Sequence, residues 1–256
     1  MYFKRQIYRV FRKIKTIVLG KKCCLCQARF YEYLPTGTDA KVWKELHGIG
    51  AGKRKAICPN CGSSDRERLV YLYIRDKYLP TLQKKKVKCL HIAPESQLSN
   101  YLRSQSNIDY SAGDMRCEGY DYPDYVQFID IMDLSSIEDN TYDLIICNHV
   151  LEHVENDIVA MRGIWRILKP DGIAILQVPY VMKLERTFED KSIVAPEERF
   201  KVYGQSDHVR LYGMDYPERL KRAGLKVETL DIVKKYSKKF GLNPKELLFV
   251  CHKQAS

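Results

Sequence analysis

The sequence lacks any long apolar segment. No stretch of about eighteen uncharged apolar residues occurs in its 256 residues, and a helix of roughly that length is needed to cross a bilayer. The first residues also lack the continuous apolar region and the small-residue cleavage site of a signal peptide. These absences predict a cytoplasmic protein.

Acidic residues are missing from the N-terminal segment. The net charge is +11, but residues 1–22 hold eight lysines or arginines and no acid. The remainder has 35 basic and 32 acidic residues, so it contributes only +3. Because the excess positive charge is confined to one segment, the main domain lacks the high net charge that is typical of nucleic-acid-binding domains. Nucleic acid is therefore an unfavoured partner.

The basic segment has an apolar residue at nearly every helical turn. Its apolar and basic residues alternate with helical spacing and predict a basic amphipathic helix over residues 1–20. One interpretation is a peripheral contact with an anionic membrane, at the inner membrane surface. The other is a helix that packs on its own protein with a solvated basic face.

Four of the nine cysteines form two CxxC pairs, Cys23/Cys26 and Cys58/Cys61. In a cytoplasmic protein such pairs indicate metal ligands rather than disulfides. A two-residue gap lets both thiolates face one tetrahedral Zn²⁺, and a distant second pair completes the site. We therefore predict a structural zinc in a zinc-ribbon-like module over residues 21–64. Two alternatives remain: unliganded thiols, and Cys24 in place of Cys23.

The sequence of the rest of the chain predicts an α/β domain. Residues 65–84 predict a connecting helix, and strands then alternate with helices over residues 85–256, which predicts a mostly parallel, doubly wound sheet. The predicted strands are 87–93, 108–112, 126–129, 142–148, 173–179, 225–233 and 246–252. The polar stretch within residues 181–214 predicts a substrate or lid segment.

One continuous run carries a family resemblance. Residues 143–154 read DLIICNHVLEHV, and they are followed by a helical stretch over 161–168 and the turn KPDG at 169–172. This run resembles the class I S-adenosylmethionine-dependent methyltransferases, especially the type 11 group. The resemblance implies a Rossmann-like fold with a mostly parallel seven-stranded sheet and an antiparallel last strand. It also implies S-adenosylmethionine as the cofactor.

The resemblance implies where the cofactor binds, at the carboxyl ends of the strands. Asp114, after the second strand, is placed to hold the ribose hydroxyls. Asp130, after the third strand, is placed to accept a hydrogen bond from the adenine amino group, with Ile131 beside it. Asn148 ends the fourth strand. The alternative for either aspartate is a turn or helix-capping role.

The loop after the first strand departs from the family. The family has a glycine-rich loop, whereas residues 90–97 read LHIAPESQ and contain no glycine. Pro94 offers no amide hydrogen. Glu95 is expected to hold the ammonium group of the cofactor instead, and Ala93 is small enough for close contact. The alternative is a fold that has lost its cofactor.

The predicted substrate segment concentrates charged residues and a histidine. His208 is the expected general base, oriented by Asp207 or Glu189. Comparable runs in a bacterial subgroup that shares the CxxC pairs imply methylation of sugars or surface polysaccharides. The alternative is a salt-bridged lid. His149 and His153 are expected to serve in packing.

The same segment supplies the expected acceptor-binding residues. Arg199 and Arg210 are expected to bind an acidic sugar or a nucleotide diphosphate, and Tyr212 is grouped with them. The sequence thus predicts an O-methyltransferase whose acceptor is a small molecule or glycan, such as a nucleotide-linked sugar. The alternatives are an RNA methyltransferase and a non-catalytic zinc-containing interaction protein on a degenerate methyltransferase fold.

Overall fold

The computed structural model describes residues 20–83, 85–116, 121–236 and 238–253. The amphipathic helix expected over residues 1–20 therefore lies outside the described residues, except for residue 20. Within the described ranges, no helix has the length and apolar character needed to span a membrane.

A seven-stranded sheet forms the centre of the molecule. Its strands are β6 (Val87–Ile92), β7 (Ile108–Asp114), β8 (Val126–Phe128), β9 (Tyr142–Asn148), β10 (Leu168–Gln177), β12 (Leu225–Leu230) and β13 (Leu248–Lys253). Their order is β12-β13-β10-β9-β6-β7-β8. Strand β13 runs antiparallel to both of its neighbours, while β6 to β10 pair in parallel. The predicted sheet, with its antiparallel last strand, is confirmed.

Helices cover both faces of this sheet. They are α2 (Asp65–Tyr73), α3 (Ser96–Arg103), α4 (Asp157–Ile167), α5 (Pro196–Tyr203) and α6 (Tyr216–Arg222). In β9, Leu144 and Ile146 pack in one core cluster with side chains of α2 and α3. Ile145 and Cys147 face the other way, into a cluster with side chains of α4 and α6. A strand buried on both faces must be apolar at successive positions, which explains the unbroken run that predicted it.

Helix α2 begins with a capping box. Ser64 accepts the amide of Glu67, and the Glu67 carboxylate accepts the amide of Ser64. This pair satisfies two of the free amides at a helix start. The helix continues into a π-helical turn, Ile74–Tyr78, and a 3₁₀ turn, Leu79–Leu82. The predicted connecting helix is therefore present, with an irregular second half.

The N-terminal residues form small pairings around the cysteines. Strand β1 (Lys21–Lys22) pairs with β2 (Arg29–Phe30), and β3 (Leu34–Thr36) pairs with β5 (Arg54–Ile57). A short helix, α1 (Lys41–Glu45), precedes β4 (Gly48–Ile49). Strand β4 pairs with β11 (Tyr180–Val181), which directly follows β10. The predicted module is thus attached to the large domain through β4.

The predicted irregular segment, residues 181–214, contains helix α5, which ends at Gly204 in the left-handed region with φ 85°. The indole nitrogen of Trp43 in α1 donates to the Gly204 carbonyl at 3.2 Å. A Cβ at Gly204 would lie 2.1 Å from that nitrogen, so only glycine permits this approach. The segment is therefore held against the N-terminal residues.

The guanidinium of Arg68 joins three parts of the chain. It is fully buried and donates to the carbonyls of Ser63, Ala56, Phe240 and Gly241 at 2.6 to 3.1 Å. These acceptors come from the cysteine-bearing turn, from β5 and from the segment before β13. A buried guanidinium is tolerable only when its donors are satisfied, as they are here.

We predict that Arg68→Leu lowers the free energy of unfolding by about 3 kcal/mol or more, because two buried and two partly buried carbonyls lose a charged donor at once. Arg29→Leu is the matched control, since Arg29 is exposed in the same module, and it should change stability by less than about 0.5 kcal/mol. Urea unfolding of both variants measures the difference. Equal effects would contradict the role of Arg68.

Candidate functional site

The sheet has a topological switch point between β6 and β9. Strand β6 pairs with β7 on one side and with β9 on the other, so the connections after β6 and β9 leave on opposite sides. In open parallel sheets the crevice at such a point, beyond the carboxyl ends of the strands, is where ligands bind. The residues after these two strands therefore define the candidate site.

The carboxylate of Glu95 lies in this crevice and bridges the two strands. It is 2.9 Å from His91 Nε2 in β6 and accepts from the Asn148 side-chain amide at the end of β9 at 3.2 Å. Arg66 Nε, from α2, is 3.3 Å away. The structure thus brings together Glu95 and Asn148, two residues that the sequence predicted for the cofactor.

The network leaves Glu95 charged. Burial opposes ionisation, but the hydrogen bond and charge of His91, with Arg66 and Asn148, lower the pKa of Glu95 below its usual value. Asn148 is buried, and its Oδ1 has no hydrogen-bond partner. An ionised carboxylate beside a free amide oxygen suits a ligand that carries an ammonium group.

Two residues that end these strands have left-handed backbone conformations. Ala93 follows β6 with φ 48°, and His149 follows β9 with φ 55°. Ala93 donates its amide to the Gly113 carbonyl at 2.8 Å. A left-handed conformation costs a residue with a side chain about 1 to 3 kcal/mol, and such residues cluster at functional sites. Ala93 thus adopts a glycine-like turn although the loop has no glycine.

The two predicted aspartates differ in their surroundings. Asp114 is the last residue of β7 and accepts from the hydroxyl of Tyr122 at 3.1 Å. Asp130 lies just beyond β8, and its Oδ1 accepts the amide of Met132 at 2.8 Å, which is the turn role that the sequence left open. Ile131 is buried in the core, so its side chain packs there and is not exposed at the crevice.

A cluster of histidines and acids follows β9. Its members come from two loops, with Glu152 and His153 after the strand and Asp207 and His208 after α5. His153 Nδ1 lies 3.2 Å from Asp207 Oδ2, and the rings of His153 and His208 meet edge to face at 4.7 Å. The side-chain amide of Gln205 lies 2.8 Å from His208 Nε2.

Burial controls the charges in this cluster. Burial raises the pKa of Glu152 to about 7 and lowers the pKa of His208 to about 3. The contact with His153 lowers the pKa of Asp207 to about 2. Burial opposes the charge on His153, but its contacts with Asp207 and Glu152 raise its pKa. At neutral pH, His208 is therefore uncharged, and His153 pairs with an ionised Asp207.

The structure gives His208 a different partner from the one expected. Asp207 contacts His153, and Glu189 pairs with Arg210 at 3.0 Å and with Arg219 at 3.2 Å. The hydrogen bond to His208 comes from Gln205. His153, which was expected only to pack, has instead a carboxylate partner and lines a cavity.

Arg210 and Tyr212 serve a structural purpose that corrects their predicted roles in substrate binding. Arg210 is buried and donates to the carbonyls of Leu151 and Val154, each at 2.6 Å. Tyr212 is fully buried and donates to the carboxylate of Asp157 at 2.8 Å. Because these donors are occupied inside the protein, they cannot also bind an acceptor. For these two residues, the structure agrees with the alternative interpretation, in which the segment is a salt-bridged lid.

A cavity of about 450 Å³ lies beside the histidine cluster. Its lining includes His153, the predicted substrate residue Arg199, and the exposed Lys191. Arg199 Nε donates to the Ile193 carbonyl at 3.1 Å. Among its charged residues, the cavity therefore has one histidine, His153, and two cationic side chains without a salt bridge, Lys191 and Arg199.

Sequence reasoning missed several residues of the site. His91 and Arg66 both contact Glu95. His91 precedes the loop in which cofactor residues were expected, and Arg66 lies in the connecting helix. Gly50 of the N-terminal module covers His149, since a Cβ there would lie 3.3 Å from its ring. The buried polar residue in strand β6 was a usable signal for His91. Nothing in the sequence indicated the contact of Arg66 with Glu95 or that of Gly50 with His149.

The four predicted cysteines form one compact cluster. Their sulfur atoms all lie within 4.8 Å of one another, and the Cys23–Cys61 and Cys26–Cys58 sulfurs are 3.8 Å apart. A tetrahedral zinc with bonds of about 2.3 Å separates its sulfurs by about 3.8 Å. Cys24 lies outside this cluster and packs in an apolar core, so the alternative with Cys24 is wrong.

Both CxxC turns have the same backbone form. The residue after each second cysteine is left-handed, with φ 61° at Gln27 and φ 76° at Gly62. The amide of each of these two residues donates to the carbonyl of the first cysteine of its pair, at 3.0 Å to Cys23 and at 2.9 Å to Cys58. The repeated turn directs both thiols of each pair toward the centre of the cluster.

Comparison with known proteins adds one family match. The model of a methyltransferase domain matches residues 90–176, which run from β6 to β10. No curated protein matches the chain.

Solved structures with detectable similarity include three methyltransferases. The Burkholderia thailandensis 1,6-didemethyltoxoflavin-N1-methyltransferase is 17% identical with a TM-score of 0.47, covering 74% of this chain and 87% of that one. An Archaeoglobus fulgidus SAM-dependent methyltransferase has 15% identity and a TM-score of 0.45, covering 73% and 94%. The CurJ carbon methyltransferase has 16% identity and a TM-score of 0.46, covering 74% of this chain. This chain spans about half (53%) of the CurJ protein.

Residues 90–176 thus match a methyltransferase domain, and they run through the five parallel strands of the central sheet, β6 to β10.

Proposed function

We propose that this protein is an S-adenosylmethionine-dependent methyltransferase that methylates a hydroxyl group of a sugar, a nucleotide-linked sugar or a surface-polysaccharide precursor. The observation that carries the proposal is the position of the histidine cluster. It follows β9 directly after Asn148, and His153 lines the adjacent cavity. An acceptor in that cavity would meet His153, whose imidazole pairs with the ionised Asp207.

The crevice offers the side chains that S-adenosylmethionine requires. Glu95 would hold the ammonium group, Asn148 Oδ1 would accept a further hydrogen bond, and Asp114 would hold the ribose hydroxyls. We retain Asp130 as the partner of the adenine amino group, through whichever carboxylate oxygen its turn leaves free, and Ala93 as the close backbone contact. The cofactor, when bound, supplies an activated methyl group, so the protein has to align the acceptor and exclude water.

A hydroxyl acceptor must also lose a proton. We assign this task to the cluster around His208, which burial keeps uncharged and whose Nδ1 is free to accept a proton. Asp207 would favour the positive charge that forms on His208, whereas burial and the charge of His153 keep the pKa of His208 low in the absence of an acceptor. Proton acceptance by a positioned side chain contributes about 10² to 10⁴ to a rate.

The cavity wall carries charges of both signs. Its acidic residues are Glu155, Asp157, Glu189 and Asp190, and its basic residues are Lys191, Arg199, Arg210 and Arg219. Arg210 and Arg219 form salt bridges with Asp157 and Glu189, whereas Arg199 and Lys191 form none within the described residues. Guanidinium and ammonium groups bind phosphate and carboxylate strongly, so these two side chains are the ones that would hold a nucleotide-linked or an acidic sugar.

We further propose that the four cysteines hold a structural Zn²⁺. Four thiolates leave no open position, so this metal would stabilise the module and take no part in the reaction. The module would then act on the site through β4, whose pairing with β11 places Gly50 over His149. The zinc would thus support the wall of the crevice.

The N-terminal basic segment completes the proposal. Residues 1–20 would make a peripheral contact with an anionic membrane at the inner surface, where lipid-linked precursors are exposed. Eight basic residues within 1–22 supply the attraction to such a surface.

We predict that the protein binds S-adenosylhomocysteine, and that Asp114→Asn and Glu95→Gln each weaken binding at least about tenfold, since each removes a charged hydrogen-bond acceptor. Asp109→Asn is the matched control, because Asp109 is exposed at the opposite end of β7. Isothermal titration calorimetry measures all four proteins. Absence of binding by the unmodified protein would support the non-catalytic alternative instead.

We predict that Asp207→Asn lowers kcat for methylation of a hydroxylated acceptor by about 10²-fold, because His153 loses its charged partner. Binding of S-adenosylhomocysteine should stay unchanged in this variant. The assay offers nucleotide-linked sugars and RNA to the same preparation. Transfer to RNA alone would overturn the sugar assignment.

We predict one zinc per protein at the cysteine cluster, measured by elemental analysis. Cys61→Ser should lose the metal and lower the melting temperature, because the zinc would contribute folding free energy. Cys24→Ala is the control and should keep the full zinc content. Loss of zinc in both variants, or in neither, would contradict the site.

A further inference from the structure

Glu152, His153 and His208 form a second group of metal-binding atoms, distinct from the cysteines. One ligand atom from each residue lies within 4.8 Å of the others. Two imidazoles and a carboxylate are the ligands of catalytic zinc sites and of non-haem iron sites. We infer that this cluster binds a divalent transition-metal ion.

The cluster has buried lone pairs that no other group satisfies. Glu152 and His208 are 1% and 2% exposed. Neither carboxylate oxygen of Glu152 has a hydrogen-bond partner, and Nδ1 of His208 has none either. The ring nitrogens nearest to the carboxylate are Nδ1 of His149 at 3.5 Å and Nε2 of His153 at 3.9 Å. Buried polar atoms without partners are costly, and a cation between them would satisfy all three.

The remaining ring nitrogens already have the contacts that metal ligands require. His153 Nδ1 is 3.2 Å from Asp207, which leaves Nε2 directed at Glu152. His208 Nε2 is 2.8 Å from the Gln205 amide, which leaves Nδ1 free. A histidine that binds a metal almost always uses its second nitrogen for such a contact, which fixes the ring and its tautomer. Both histidines are therefore oriented as ligands.

Three protein ligands leave at least one position open on the ion. His153 lines the 450 Å³ cavity, so the open position would face the proposed acceptor. This consequence rests on the proposed function. A metal there would bind the acceptor through oxygen, and a sugar hydroxyl or a pair of adjacent hydroxyls is the fitting group. Because His208 Nδ1 would then bind the ion, the ion would replace His208 in activating the acceptor hydroxyl, by lowering the pKa of that hydroxyl.

Titration of the zinc-loaded protein with Co²⁺ tests the site, followed by visible absorption and by calorimetry. We expect one Co²⁺ per protein with the weak visible bands of nitrogen and oxygen ligands. The intense charge-transfer band of thiolate ligands would appear only if cobalt displaced zinc at the cysteines, so the two sites are distinguishable.

Variants assign the binding to this cluster. Glu152→Gln and His153→Gln should each weaken Co²⁺ binding at least tenfold, and Asp207→Asn should weaken it by about 10- to 100-fold as a loss of the outer contact. His252→Gln, in β13, is the control and should bind as the unmodified protein does. His153 is the more exposed of the two ligands, so its variant keeps the test valid if Glu152→Gln does not fold.

Two results would overturn the site: no Co²⁺ bound beyond the cysteines, or binding that survives in His153→Gln and Asp207→Asn. The same samples are titrated with S-adenosylhomocysteine. Cobalt binding without S-adenosylhomocysteine binding would leave the metal site and remove the proposed function. The reverse pattern would leave the proposed function and remove the metal site.

Discussion

The buried guanidinium of Arg210 is the interaction on which the site depends. It donates to three carbonyls of residues 151–155, the loop after β9, and pairs with Glu189. It thereby ties the loop that carries Glu152 and His153 to the returning segment that carries Asp207 and His208. The amide of Val209, which donates to the Glu152 carbonyl at 3.0 Å, and the hydroxyl of Tyr212, which lies 3.2 Å from the Leu151 carbonyl oxygen, reinforce this connection. A residue expected to bind substrate proves instead to build the place where substrate is proposed to bind.

Much of the fold follows from local patterns. The run at 142–148 is apolar at successive positions because β9 is buried on both faces, and Ser64 with Glu67 marks the start of α2. The cysteine spacing likewise determines which sulfurs meet. The site was harder to predict, because its contacts depend on tertiary packing. Asp207 was expected to orient His208, but its partner is His153, a contact between two loops that the sequence does not reveal.

The loop without glycine is less anomalous in the structure than in the sequence. Ala93 adopts the left-handed conformation that a glycine would provide, and His149 repeats it at the neighbouring strand. The carboxylate of Glu95, held by His91 and Asn148, lies at the same strand ends as these two left-handed residues and carries a negative charge there. Strain at both strand ends together with a fixed carboxylate is the pattern of a ligand site. Gly50, which follows β4 in the N-terminal module, lies against the His149 ring at the end of β9, so both parts of the chain border this crevice.

The central claim is that S-adenosylmethionine binds at the switch point between β6 and β9 without a glycine-rich loop. A crystal structure of the protein with S-adenosylhomocysteine tests it most directly. The account predicts the amino-acid end of the ligand at Glu95 and Asn148, and its ribose at Asp114. A ligand seated elsewhere, or a crevice that stays empty at saturating S-adenosylhomocysteine, would contradict it.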